Sequence, residues 1–223
     1  MSKSNSTDMQ QRYLADLAFY QNEPQWDTAQ LKTAICLTML QDYPAAREAF
    51  RFTLDNFLDS ARKAWFTTHQ PHWLTDTYVL ADSPALYEQT WRELHTFKLA
   101  PRPGLWGLYA YGSLCLVGGK DAEALTYVAG LLAKPKYKDM FSAGQAITAI
   151  TAHDQMRLDA ALIGLLNAHR GIAKFGALRE TPEGYLCLPA MALSKAALDR
   201  GMAINVESEY LLKGYLQYLV QSG

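Results

Sequence analysis

Apolar residues recur at three- and four-residue steps over most of this chain, the period of helices that bury one face. The clearest run follows Pro44, where Ala46, Phe50, Leu54, Phe57, Leu58, Ala61 and Trp65 share a face and predict a long helix ending near Thr68. Ahead of it, the pattern predicts a helix over 8–21, behind a flexible tail of residues 1–7. A second should run to about Gln41, with Asp27 capping it, Gln30 reaching back and Trp26 packing onto Leu31. Residues 69–82 hold Pro71, mix polar with apolar groups and show no helical period, so they read as an extended connection or a broken helix. Ser83 and Pro84 then open a helix whose face is Tyr87, Thr90, Trp91 and Leu94.

The second half is more regular. An aromatic-rich helix over 105–117 stops at Gly118 and Gly119, and helices over 121–133 and 139–151 follow. Asp154 begins another that carries Leu158, Ala161, Leu162, Leu165 and Leu166, and the pattern weakens after Gly171. The last strong segment has Pro189 near its start and Gly201 past its end, the arrangement that suits a helix with a left-handed stop. Only Lys195 and Asp199, four residues apart, interrupt its apolar surface. A helix apolar nearly all round belongs inside a core. The fold expected is therefore all-α. One domain over 1–223 would hold about eight to ten helices packed as antiparallel hairpins, with at most one short extended piece near 203–206.

Composition narrows the function. Hydrophobic residues make up 49% and aromatics 12%, enough for a substantial core. Twenty-one basic against 22 acidic residues give a net charge of -1, which offers no bulk attraction to nucleic acid or to a membrane surface, and neither is expected as a partner. Cys36, Cys115 and Cys187 lie far apart inside apolar segments and read as reduced, buried small hydrophobes. The first residues lack the apolar stretch of a secretory signal, and no apolar run approaches the roughly 20 residues that cross a bilayer, so a cytoplasmic location is expected.

Candidate chemistry is sparse. Among five histidines, His69 and His72 are three apart but flank Pro71, and no cysteine or carboxylate completes a ligand set, so no metal is expected. The other three, His95, His153 and His169, fall near helix ends, where an imidazole can bond terminal carbonyls. Gly118-Gly119-Lys120-Asp121 lacks the spacing and preceding strand of a phosphate loop, and neither Ser113 nor Ser142 has the strand-turn-helix setting of a serine nucleophile. No cofactor and no enzymatic activity are expected. Two groups of aromatic and acidic residues remain as candidate partner-binding surface: Trp73, Asp76, Tyr78 and Asp82 in the irregular segment, and Glu180, Glu183 and Tyr185 ahead of the core helix. The competing readings are an edge of the core for the first group and a solvated connector for the second.

The order Leu186, Leu188-Pro189-Ala190, Ala192-Leu193, a basic residue before Gly201, then Ile204 and Val206-Glu207-Ser208-Glu209-Tyr210-Leu211 resembles the C-terminal signature of the immunity protein 49 family of bacterial polymorphic toxin and contact-dependent secretion systems. Leu212 stands where the family often has a proline. The resemblance implies a cytosolic, mostly helical, non-catalytic protein. Its partner would be a cognate toxin domain encoded by a neighbouring gene, often a nuclease or another nucleic-acid-modifying enzyme, bound by direct contact. On local physics alone, Ser208 reads as a helix cap. The rival class is a helical-hairpin adaptor or chaperone that binds a peptide segment. Nothing in the residues fixes a homo-oligomeric state.

Overall fold

A computed structural model describes residues 3–22, 28–59, 71–96 and 104–222 of the chain. The elements in order are α1 (Lys3–Asn22), α2 (Ala29–Met39), α3 (Tyr43–Asp59), α4 (Pro71–Ala81), a 3-10 turn (Pro84–Leu86), α5 (Tyr87–Thr96), α6 (Leu105–Val117), α7 (Asp121–Leu132), α8 (Lys138–Thr151), α9 (Gln155–Phe175), a second 3-10 turn (Pro182–Gly184), α10 (Leu188–Asp199) and α11 (Lys213–Ser222). The all-α fold class is thus borne out: among the described residues there is no strand, only an isolated bridge between Ser208 and Leu211. Consecutive helices pack in pairs, from α1 with α2 through α3 with α4, and again from α6 with α7 through α8 with α9.

Several boundaries match the periodicity. The face of α3 formed by Ala46, Phe50, Leu54, Phe57 and Leu58 is buried. Asp154 caps α9 by accepting from the backbone N–H of Arg157 at 3.0 Å, which satisfies one donor that the first turn leaves unpaired. Asp121 and Glu123 lie in the first turn of α7, where the helix dipole favours negative charge. Gly201 has φ +76, a conformation that costs glycine nothing, and closes the end of α10. The expected cap Asp27 and staple Trp26 lie outside the described residues, as do Ala61, Trp65 and His69.

The clearest departure is α4. Residues 71–81, expected to be extended or broken, form a helix with hardly an exposed face. Leu74, Thr75, Asp76, Thr77, Tyr78, Val79 and Leu80 are all buried. A helix enclosed on all sides carries no amphipathic stripe, so period counting misses it. Its one proline does not break it, since Pro71 stands in the first turn, where the missing N–H is no loss. Ser208 is a second departure. It is no helix cap; its hydroxyl accepts from the backbone N–H of Tyr210 at 3.2 Å inside the loop before α11.

Helix α10 lies at the centre, against α4, α6, α8 and α11. Its residues from Leu188 to Ala197 are buried apart from Pro189. Even Lys195 is interior, so its charge needs partners. Its Nζ donates to Asp199 Oδ1 at 2.7 Å and to Asp82 Oδ1 at 3.0 Å. Arg47 on α3 faces the other oxygen of Asp82 at 3.4 Å and also donates to Ser222 Oγ on α11. Asp82 holds φ +48, in the left-handed region that aspartate tolerates better than most residues, at the end of α4. One carboxylate therefore joins α3, α4 and α10.

A second polar group is buried more deeply. Asp76 on α4 has no solvent exposure, and the Tyr109 hydroxyl on α6 donates to its Oδ1 at 2.6 Å. Its other oxygen has no hydrogen-bond partner. Burial pushes the Asp76 carboxyl up to about 8, opposed by the Tyr109 hydrogen bond, so the group is mainly protonated at neutral pH.

Two outcomes follow. Leu193 is 1% exposed at the middle of α10, and Leu193→Asp should abolish cooperative thermal unfolding by burying an unpaired charge; a soluble variant that melts cooperatively contradicts its central placement. Asp76 has a folded pKa above its unfolded one, so its contribution is complete below about pH 4 and is lost as pH rises toward about 8. Stability should fall over that window by up to about 1.4 kcal/mol per pH unit from this group alone. Asp76→Asn keeps an acceptor for Tyr109 and should match the parent chain near pH 4 while exceeding it near pH 8, as read from urea unfolding at both.

Candidate functional site

The N-terminus of α10 does not end in the core. Leu186, Cys187, Leu188 and Pro189 form one side of a cleft of about 300 Å³ that α4, α6, α8, α9 and the 178–183 connector complete. His72 and Trp73 enter from α4, Trp106 from α6, Asp139 and Met140 from α8, and Leu165, His169 and Ile172 from α9. The rings are ordered against each other: His72 stacks on Trp106 with centroids 3.9 Å apart. Trp106 and Ile172 are each 38% exposed at this cleft, and Phe175, one turn beyond Ile172, is 87% exposed. Large apolar side chains left in water around a concavity mark a surface that gains by being covered.

The polar groups of the cleft are unequal. His72 is buried, and desolvation pushes its imidazole down to about 3, leaving it neutral with Nδ1 unpartnered. His169 is lowered by burial against the raising effect of its contact with the Gly184 carbonyl, at 3.3 Å from Nε2. Cys187 is buried and its thiol is pushed up to about 12 by desolvation, which makes it a packing residue rather than a nucleophile. The carboxylates are Asp139, in the first turn of α8, and Glu183. Glu183 Oε1 faces Lys32 Nζ at 3.6 Å, whereas Oε2 is buried without a hydrogen-bond partner. Among the described residues no group of three histidine, cysteine, aspartate or glutamate side chains is placed to hold a metal ion.

The connector that carries Glu183 is fixed at two points. Gly184 lies so close to the Leu178 carbonyl that an added Cβ would collide with it, and the His169 contact falls on the same glycine. This segment also forms part of a second groove of about 420 Å³, shared by Arg12, Tyr13, Glu180, Tyr185 and Glu209.

The seven residues singled out from sequence separate accordingly. Trp73 and Glu183, one from each group, meet at the first cleft. Glu180 is exposed at the second groove, with Arg179 at 3.4 Å, and Tyr185 is buried beside it, donating to Asp16 Oδ2 at 2.6 Å. Asp76 and Tyr78 are not surface residues, because α4 is helical and turns both inward. Asp82 is the counterion of Lys195 and Arg47, with its side chain 13% exposed. Residues that the sequence did not single out complete the cleft: His72, Trp106, Asp139 and Ile172. Ile172 gives no separate signal, since it lies seven residues after Leu165 and continues the stripe of Leu158, Leu162, Leu165 and Leu166. Trp106 gives none, because α6 is apolar on every face.

The residues that carry the family resemblance have a structural role. The Cys187 N–H donates to the Tyr210 carbonyl at 3.0 Å, and the Leu212 N–H meets Met191 Sδ at 3.3 Å, so the two ends of the stretch lock together. Val206, Tyr210 and Leu211 are buried, whereas Glu207 and Glu209 are exposed. No curated protein and no solved structure matches the chain. The family model for immunity protein 49 matches residues 121–211, from the start of α7 through the loop before α11. That match takes in one wall and the α10 side of the cleft, and over this stretch the chain is similar to immunity protein 49.

Proposed function

We propose that the chain neutralises a cognate toxin domain, encoded by a neighbouring gene, by direct protein–protein contact at the cleft between α4, α6, α8, α9 and α10. The observation that carries this reading is the partly exposed apolar pair Trp106 and Ile172 at a cleft whose formal charges, among the described residues, are both negative, Asp139 and Glu183. Aromatic and aliphatic anchors supply affinity once desolvated, and carboxylates steer a basic partner toward them. A nuclease or another nucleic-acid-targeting toxin, whose own substrate site is basic, suits that charge. The family match to immunity proteins supports the same partner class.

Co-expression with the neighbouring-gene toxin domain should yield one complex in size-exclusion chromatography and abolish the toxin's nuclease activity. Trp106→Ala and Ile172→Ala truncate partly exposed side chains that line the cleft and should leave the chain folded, checked by thermal melting, while each weakens the complex by about tenfold or more. Met156→Ala, on the first turn of α9 and 78% exposed, should bind like the parent chain. Failure to form a complex, or rim variants that bind unchanged, overturns the reading.

A further inference from the structure

Resting on that reading, we infer that the cleft is a socket for one arginine side chain of the partner, its guanidinium bound between the Trp73 and Trp106 rings and the Glu183 carboxylate. The volume, about 300 Å³, stands at the bottom of the range for small-molecule pockets, about 300–1,000 Å³, and suits one large side chain. The walls are apolar or aromatic over most of their extent, from Met140 and Leu165 to Leu186 and Leu188. Among the described residues no lysine or arginine lines the cleft, whereas two carboxylates do.

Two buried polar atoms on cleft-lining residues point to a ligand that brings donors. His72 is 5% exposed and its Nδ1 has no partner; Glu183 Oε2 has none either. An unpaired buried acceptor costs about 1–3 kcal/mol, so a guest that satisfies these atoms is favoured over one that merely fills space. Lys32 does not fill that role, because it approaches Glu183 through the other oxygen and at 3.6 Å, beyond hydrogen-bond distance.

Among cationic side chains the site selects arginine. Its planar guanidinium stacks on aromatic faces, presents five donors in a fixed fork and loses less on leaving water than an ammonium. The Trp106 ring, already stacked on His72, offers such a face at the opening. A lysine would bring its three donors on a compact, strongly hydrated charge with no planar face to stack on the indoles. A wholly apolar guest would leave both acceptors unmatched.

The test pairs the chain with the neighbouring-gene toxin domain and carries out a double-mutant cycle between Glu183→Gln and each arginine of that domain changed to alanine. Glu183→Gln preserves side-chain volume, and Trp73→Phe serves as a second variant if folding suffers, checked by thermal melting. The expected result is a loss of about tenfold or more in affinity for Glu183→Gln, non-additive with one toxin arginine and additive with the rest. A complex that forms but shows no arginine coupled to Glu183 overturns the socket and leaves the immunity reading standing. If no complex forms, that reading fails, and the socket is decided on the free chain by titrating N-acetyl-argininamide against its neutral citrulline counterpart. Shifts of the Trp73 and Trp106 indole resonances with the first only, lost in Glu183→Gln, support it; equal shifts or none overturn it.

Discussion

Helix α10 has almost no polar face, and such an element has one stable location, inside a shell of other helices. Everything that packs on it is constrained by that. Its single interior charge, Lys195, could not be enclosed without counterions, and the chain supplies them from Asp199, one turn along, and from Asp82 at the end of α4. A buried ion pair contributes little net stability compared with apolar packing, yet removing one partner costs about 3–5 kcal/mol. The group thus acts on geometry. It lets α4 dock on α10 in one register, with Arg47 extending the same constraint to α3 and α11.

Where a helix is half exposed, its sequence shows it. The stripe of Ala46, Phe50, Leu54 and Phe57 on α3 faces the core against exposed Arg51 and Asp55, and that contrast is what periodicity measures. In α4 the contrast is absent. Thr75 and Asp76 are polar and buried alongside Leu74 and Leu80, and their polarity reports hydrogen bonding inside the protein, to the Ala110 carbonyl and from the Tyr109 hydroxyl, rather than contact with water. Reading Asp76 as a surface acid follows from the usual rule for carboxylates, and the Tyr109 hydroxyl is what makes the exception affordable. That partner is 33 residues away and leaves no local trace.

The cleft was half legible for the same reason. Trp73 and Glu183 stand out because an aromatic and an acid lie in segments without period, but their meeting depends on α4 and the 178–183 connector converging on the start of α10. The family signature read as a core helix followed by a short extended piece and a helix cap at Ser208. Its first residues, Leu186 to Pro189, in fact border the cleft, because a central helix must still begin somewhere and this one begins at the surface opening.

That origin divides the site into two kinds of residue. Leu186, Cys187 and Leu188 are buried and belong to the packing of α10, so substitution there disturbs the core before it changes recognition. Trp106 and Ile172 are partly exposed at the opening and stand on other helices, so substitution there alters the cleft wall without removing a residue of α10. His72 and Trp73 lie before residue 121, outside the stretch that matches the immunity protein 49 family, as does Trp106. One wall of the cleft therefore lies outside the matched stretch, and the Glu183 connector lies within it. The aromatic shape of the opening is set by His72, Trp73 and Trp106 on α4 and α6, whereas both of its carboxylates, Asp139 and Glu183, come from the matched stretch that also holds α10.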